Sequence, residues 1–256
     1  MRSSVVLPNP EPGWAYFLDL DGTLVELADS PDDIRVDAAL PALVEALRRS
    51  SGGALAIISG RSIDDLDRLF SGRQYAVAGQ HGFERRDGAG HHSAMPMSPR
   101  ELDRARRRLT RLATVHRGLE FEDKGASLAL HYRRAPRLAA FAHQTARDVQ
   151  SHLGARYAVQ AGKRVVEIKP AGRNKGSAIT AFMHEPPFAG RTPLFIGDDR
   201  TDEYGFAVVN HLHGHSVKVG PGPTTARWRL PDVDAVIGWL KTGRPHPRAV
   251  RRSSRR

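Results

Sequence analysis

The stretch "WAYFLDLDGTL", residues 14–24, begins as an apolar strand and ends on two carboxylates, Asp19 and Asp21, two positions apart. Desolvating a carboxylate is costly, so acids at the end of a buried strand need a task. Side chains two apart on an extended segment point the same way. Asp19 and Asp21 can therefore face one site at the C-terminal edge of a parallel strand, where open α/β sheets bind their ligands. The residues alone also allow a plainer reading, with Asp21-Gly22 as a turn and Asp19 as a helix cap.

The flanking segments place this strand in its sheet. Residues 37–50 carry Leu40, Leu43, Val44 and Leu47 at the spacing of an amphipathic helix. "GALAIIS", residues 53–59, is a second short apolar run between glycine-rich turns. Residues 62–70 predict a helix with Ser62 as N-cap and Asp65 in the capping-box position, and "YAVAG", 75–79, predicts a third strand. Near-continuous apolar strands alternating with helices predict a doubly wound parallel sheet, Rossmann-like and covered on both faces. The style returns near the end. "NKGSAITAFMHE" reads as helix, "TPLFIGDD" as a strand again ending in acids, "TDEYGFAVVN" as helix, "HSVKVG" as strand and "PDVDAVIGWLKTG" as a closing helix.

The middle differs. Residues 98–118 predict a long basic helix with Ser98 as cap and Pro99 at its first position, followed by "LEFEDK" and "ASLALHYRR", two strand-like runs split at Gly125. Residues 136–154 predict another helix, followed by "ARYAVQ" and "RVVEIKP". This α-β-β pattern, met twice, implies antiparallel hairpins and an α+β cap domain, residues 98–169, inserted into a core of 13–97 and 170–243. Residues 244–256 are expected to be a basic, disordered tail.

Composition narrows the chemistry. The 256 residues include no cysteine, which excludes disulfides, zinc–thiolate sites, iron–sulfur clusters and thiol nucleophiles. No apolar run approaches a membrane span of roughly 18 residues, and the start is too short in apolar residues for a signal peptide, so a cytoplasmic chain with no membrane partner is expected. The formal charge of +11 falls to +4 when the seven Lys and Arg of residues 241–256 are set aside. The folded part is only mildly basic, and no specific nucleic-acid partner is expected.

The second acid-ended strand, "FIGDDRTDE", places Asp198, Asp199, Asp202 and Glu203 just past an apolar run. Two acid clusters at equivalent strand ends repel unless a cation lies between them. Oxygen ligands without Cys or a close His pair suit Mg²⁺. "IISGRS" gives a third strand end, where Ser59 and the Gly60 backbone could take a phosphate oxygen, or form an ordinary strand–helix turn. "GRNKGSA" places Lys175 at a helix start as a phosphate-facing cation, and the P-loop pattern is absent from the chain. The histidines of "HLHGH", residues 211–215, are expected in a loop away from the acids, without a metal.

"DLDGTL", "IISGR", Lys175 and "GDDRTDE" together resemble, in order, the four motifs of the haloacid-dehalogenase-like phosphatase superfamily. "GQHGFE", "FEDKGASLALHYR", "RVVEIKP" and "NKGSA" resemble the trehalose-6-phosphate phosphatases within it, over roughly residues 14–240. The resemblance implies Mg²⁺-dependent phosphatase action on a sugar phosphate, with a mobile cap over the core. It makes Asp19 the nucleophile and Asp21 the general acid and base. It places Mg²⁺ on Asp19, Asp21, Asp198 and Asp199, and puts Ser59 and Lys175 on the phosphoryl oxygens. Gly60, Arg61, Glu122, Lys124, Arg133, Lys163 and Glu167 become substrate contacts. His81 either contacts substrate or caps its own turn. Two other functions fit the same sequence: a phosphatase for another disaccharide or pseudosugar phosphate, and a non-catalytic nucleic-acid-binding protein on a phosphatase fold.

Overall fold

The computed structural model describes residues 7–28, 34, 36–94 and 99–243. Eight strands form the larger sheet: β1 Trp14–Leu18, β2 Leu55–Ile58, β3 Ala76–Gly79, β4 Glu84–Arg86, β5 His92–Ala94, β10 Thr192–Gly197, β11 His215–Val219 and β12 Trp228–Leu230. Their order is β12-β11-β10-β1-β2-β3-β4-β5. The run from β12 to β3 is parallel, and β4 and β5 extend it as an antiparallel edge.

The alternation along β1 splits the core into two layers. Tyr16 and Leu18 pack on one face with helices α1, Ala39–Ser50, α2, Ile63–Leu69, and α7, Val233–Thr242, through Leu43, Leu47, Leu66, Val236 and Leu240. Ala15 and Phe17 point the other way, into Ile179, Phe182, Phe206 and Val209 of α5, Lys175–Met183, and α6, Glu203–His211. A strand buried on both faces must be apolar throughout, which is the reason for the uninterrupted run in β1.

The second sheet is antiparallel, in the order β6-β7-β9-β8, from β6 Glu120–Asp123, β7 Leu128–His131, β8 Tyr157–Gly162 and β9 Val165–Pro170. Helices α3, Pro99–Val115, and α4, Ala139–Leu153, cover one of its faces through Leu102, Leu109, Ala142 and Val149, packed on Leu130, Val166 and Ile168. The alternate residues Glu122 and Glu167 turn to the opposite face, toward the core.

Two features differ from the expectation. The edge strands β4 and β5 and the short β12 were not foreseen. The histidine run is not one loop: His211 closes α6 and His215 opens β11, its ring centroid 4.2 Å from Trp14 and 5.0 Å from Trp228. The Ser98 cap lies outside the described residues, and α3 begins at Pro99. The 244–256 tail also lies outside them.

Candidate active site

Strands β1, β2 and β10 are parallel neighbours, so their C-terminal ends share one edge. Asp19 follows β1, Ser59 follows β2, and Asp198 and Asp199 follow β10. The Asp19 amide donates to the Ile196 carbonyl at 3.0 Å, which locks the start of the acid loop to β10. Gly22 completes the turn at φ +79°, and a Cβ there would lie 2.3 Å from Asp198 Oδ2. Only glycine allows the two acid-bearing loops to approach so closely.

Lys175 enters from the first turn of α5, whose N-cap Asn174 accepts from the Ser177 amide at 2.9 Å. Its ammonium donates to Asp19 Oδ1 and Asp202 Oδ1, both at 2.7 Å. Thr23 Oγ1 donates to the other Asp19 oxygen at 3.2 Å. The carboxylates of Asp19, Asp198 and Asp202 offer oxygens within 4.8 Å of one another. Burial raises the Asp19 pKa well above the carboxylate range, against the pull of Lys175. Burial, with Asp202 and Asp199 nearby, pushes Asp198 up to about 6. Burial also raises Asp202. Burial disfavours the Lys175 ammonium, but Asp19 and Asp202 outweigh it and its pKa rises. One lysine faces three crowded acids, so the group retains a demand for positive charge that a hard cation with oxygen ligands meets.

At the mouth of the cleft Arg61 grips Asp21, with Nε to Oδ2 at 2.8 Å and Nη2 to Oδ1 at 2.9 Å. Ser59 is buried behind them, its Oγ accepting from the Arg61 amide at 3.1 Å. Asp199 stands on the cleft wall, its carboxylate accepting from the Thr201 amide. Lys163 reaches from the cap to within 3.5 Å of Asp198 Oδ2.

The cap supplies the opposite wall. Glu167 is buried and receives His81 Nε2 at 2.8 Å, Lys124 Nζ at 3.3 Å and the Ser127 hydroxyl at 3.0 Å. Lys124 also donates to the Gly60 carbonyl of the core at 3.0 Å. Burial works against the Glu167 anion, but Lys124 and His81 outweigh it and its pKa falls well below the glutamate range. Burial likewise opposes the Lys124 ammonium, yet Glu167 and Glu122 raise its pKa. Burial lowers the pKa of His81 despite the neighbouring Glu167. Gln80 and His81 hold left-handed backbone at φ 46° and 58°, a conformation costing on the order of 1–3 kcal/mol per residue. This turn aims the His81 ring from the end of β3 to Glu167 on the smaller sheet. At the outer end of the wall Glu122 accepts from His131 Nε2 at 2.8 Å.

Apart from Ser59, every site residue expected from the sequence lines one cleft of about 140 Å³. Asp202 completes the carboxylate group, one turn beyond the acids assigned to the metal. The sequence already groups it with Asp198 and Asp199 in "GDDRTDE", and its nearness to Asp19 is what the fold adds. His131 and Gln160 also line the cleft without having been singled out. Lys169, whose pKa burial lowers to about 8, sits behind Glu167 and was missed as well.

The family described as trehalose-phosphatase matches residues 17–234. The chain is 46% identical over 239 residues to the trehalose-6-phosphate phosphatase of Escherichia coli, covering 91% of this chain and 88% of that one. It is 43% identical over 228 residues to a probable trehalose-phosphate phosphatase of Sinorhizobium fredii, covering 88% and 85%. Among solved structures, the C-terminal domain of C. albicans trehalose-6-phosphate phosphatase superposes with a TM-score of 0.80 at 22% identity, covering 91% of this chain and 92% of that one. A trehalose-6-phosphate phosphatase related protein superposes with a TM-score of 0.76 at 26% identity, covering 89% and 95%.

Proposed function

The chain belongs to the trehalose-phosphatase family, and from that premise we propose that it hydrolyses trehalose 6-phosphate to trehalose and phosphate through a phosphoryl group carried on Asp19. The observation that carries this reading is the meeting of two sets of groups in one cleft. Asp19, held at 2.7 Å by Lys175, faces a cap wall of polar groups that can bond sugar hydroxyls.

In the first step an Asp19 carboxylate oxygen attacks phosphorus and the bond from phosphorus to the sugar oxygen breaks. Asp21 gives that oxygen its proton. In the second step Asp21 takes a proton from water, the water oxygen bonds to phosphorus, and Asp19 is released. Lys175 neutralises a phosphoryl oxygen throughout, and Ser59, behind the cleft wall, acts through the Arg61 amide that its hydroxyl holds. Arg61 and Gly60 bind the phosphate end of the substrate. Asp19, the Asp21 carbonyl and Asp198 would hold Mg²⁺, with Asp199 and Asp202 beside them. The bound cation would offset the repulsion between an anionic nucleophile and an anionic phosphate.

We take residues 98–169 as the cap. Glu122 and Glu167, ionised, accept from sugar hydroxyls, and Lys124, Arg133 and Lys163 donate to them. His81 orients Glu167. Closing this wall over Asp19 excludes bulk water and uses binding energy from the non-reacting ring to complete the site. A phosphorylated sugar is too polar to cross a bilayer unaided, which suits a cytoplasmic reaction.

The test is phosphate release from a panel of sugar phosphates, with and without Mg²⁺. The expected result is a strong preference for trehalose 6-phosphate that EDTA abolishes and Mg²⁺ restores. A preference for another sugar phosphate, or restoration by zinc and not by magnesium, would contradict the reading.

A further inference from the structure

The cap wall has a register that neither its motifs nor the chemistry of Asp19 accounts for. Glu122 on β6 pairs with Ala129 on β7, Ala129 with Glu167 on β9, and Glu167 with Gln160 on β8. Directly paired residues share a face, so one row crosses the whole sheet with Glu122 at one edge and Gln160 at the other. Strands lie about 4.8 Å apart, so three intervals span about 14 Å, a length on the scale of a disaccharide.

The row's chemistry is uneven. Glu122 and Glu167 carry pKa values below the glutamate range, so at neutral pH they only accept. Lys124, beside them, only donates. Gln160 is the member of the row that can donate and accept together. It is half-buried, and among the described residues no hydrogen bond or ion pair reaches its amide. An amide in that state on a polar wall is available to a ligand.

Its position adds a second argument. The cleft around Asp19 offers about 140 Å³, below the roughly 300–1,000 Å³ of most small-molecule sites. A disaccharide phosphate must extend beyond it. A larger hollow of about 1110 Å³ adjoins it between the cap and the core, walled on the far side by Tyr204 and Thr224. Gln160 lines both spaces, together with Gly162 and Lys163. Any ring leaving the cleft on this side passes its amide.

We propose that Gln160 is a specificity-determining residue that grips a vicinal diol of the sugar at the end of the row opposite Glu122. Its Nε2–H donates to one hydroxyl oxygen and its Oε1 accepts from the next hydroxyl. With the ring held by the rest of the row, both bonds form when the two neighbouring hydroxyls are equatorial, as in glucose, and moving one to the axial position takes its oxygen away from the place that one half of the amide addresses. An axial hydroxyl leaves one half of the amide unsatisfied, and a site built to bond a hydroxyl discriminates against an analogue that misplaces it.

The inference rests on the disaccharide reading above, and its test separates the two. kcat and KM are measured for wild type, Gln160→Leu and Gln160→Glu. The substrates are trehalose 6-phosphate, its analogue with galactose as the unphosphorylated ring, glucose 6-phosphate and p-nitrophenyl phosphate. Gln160→Leu is expected to lower kcat/KM for trehalose 6-phosphate about tenfold, chiefly through KM. It should narrow the preference over the galactose analogue and leave p-nitrophenyl phosphate within about twofold. Gln160→Glu, which keeps the shape and loses the donor, should also lose the preference. Equal losses on every substrate, or an undiminished preference for the glucose ring in both variants, would overturn the inference alone. A wild type that does not distinguish trehalose 6-phosphate from glucose 6-phosphate would overturn the disaccharide reading, and this inference with it.

Discussion

The two walls of the cleft manage charge in opposite ways. On the core wall, Asp19, Asp198, Asp202 and Lys175 sit on backbone fixed by parallel strands and a capped helix. Their mutual repulsion is only partly relieved, and burial raises the pKa values of all three acids. On the cap wall, the Lys124 ammonium and the hydrogen bond from His81 outweigh the burial of Glu167, so its pKa falls. One wall retains electrostatic demand, which a cation and a phosphate can meet. The other is satisfied within itself and across the boundary, through His81 and the Gly60 carbonyl, and it offers hydrogen bonds without demanding charge. We assign chemistry to the first wall and recognition to the second.

Breaking the core wall should have the largest effect. Asp19→Asn should leave a folded protein with almost no turnover of any phosphate ester, because an amide cannot carry the phosphoryl group. Activity within about tenfold of wild type, about 1.4 kcal/mol in barrier, would refute the nucleophile assignment. Lys175→Met should lower turnover of trehalose 6-phosphate and p-nitrophenyl phosphate alike by about a hundredfold or more. It should also lower the melting temperature, since Asp19 and Asp202 lose their shared donor. A substrate-selective loss would move Lys175 to the recognition side.

Breaking the cap wall should be milder and selective. Glu167→Gln removes the charge that Lys124 compensates and that His81 hydrogen-bonds. It should lower turnover of trehalose 6-phosphate about ten- to hundredfold and spare p-nitrophenyl phosphate. The sign of the pH effect follows from the depressed Glu167 pKa. Its stabilising contribution is fully present above the unfolded glutamate value of about 4.3 and is lost as pH falls through the folded value. Acid melts of wild type should show that loss, and Glu167→Gln should flatten it.

The smallest effect sharpens the contrast without mutation. Mg²⁺ should raise the melting temperature by a few degrees near pH 7.5, because it binds the folded acids and not the dispersed chain. The increase should shrink below about pH 6, where protons compete for Asp198, whose pKa is about 6. A pH-independent increase would place the cation elsewhere.

The walls also differ in how much of them the sequence reveals. The core acids end apolar strands, so each stands out against its neighbours, and parallel pairing brings their ends together without long-range information. The cap hairpins and helices were legible from their periods, while Glu122 and Glu167 stood out only through the resemblance of "FEDK" and "VVEIK" to the trehalose-6-phosphate phosphatases. The pairing of His81 with Glu167 was not legible, because it joins residues 86 positions apart across two sheets. Nor was the row that ends on Gln160, which depends on the register of four antiparallel strands. On the core sheet, β4 and β5 are three residues each and partly or wholly exposed, too short and polar for alternation to register. Arg86 in β4 is 1% exposed, its guanidinium bonded to Asp67 at 2.6 and 2.7 Å and to the Tyr75 carbonyl at 2.8 Å. A fully buried arginine is legible only once its partner is known.

The division between the walls is tested most directly at Glu122, which lines the cleft at the outer end of the row and makes no bond to Asp19, Lys175 or Asp202. The measurement is kcat/KM of Glu122→Ala on trehalose 6-phosphate and on p-nitrophenyl phosphate, each relative to wild type. A fall of about ten- to hundredfold is expected on the first, about 1.4–2.8 kcal/mol, and no more than about twofold on the second. Equal falls on both substrates, or none on either, would contradict it.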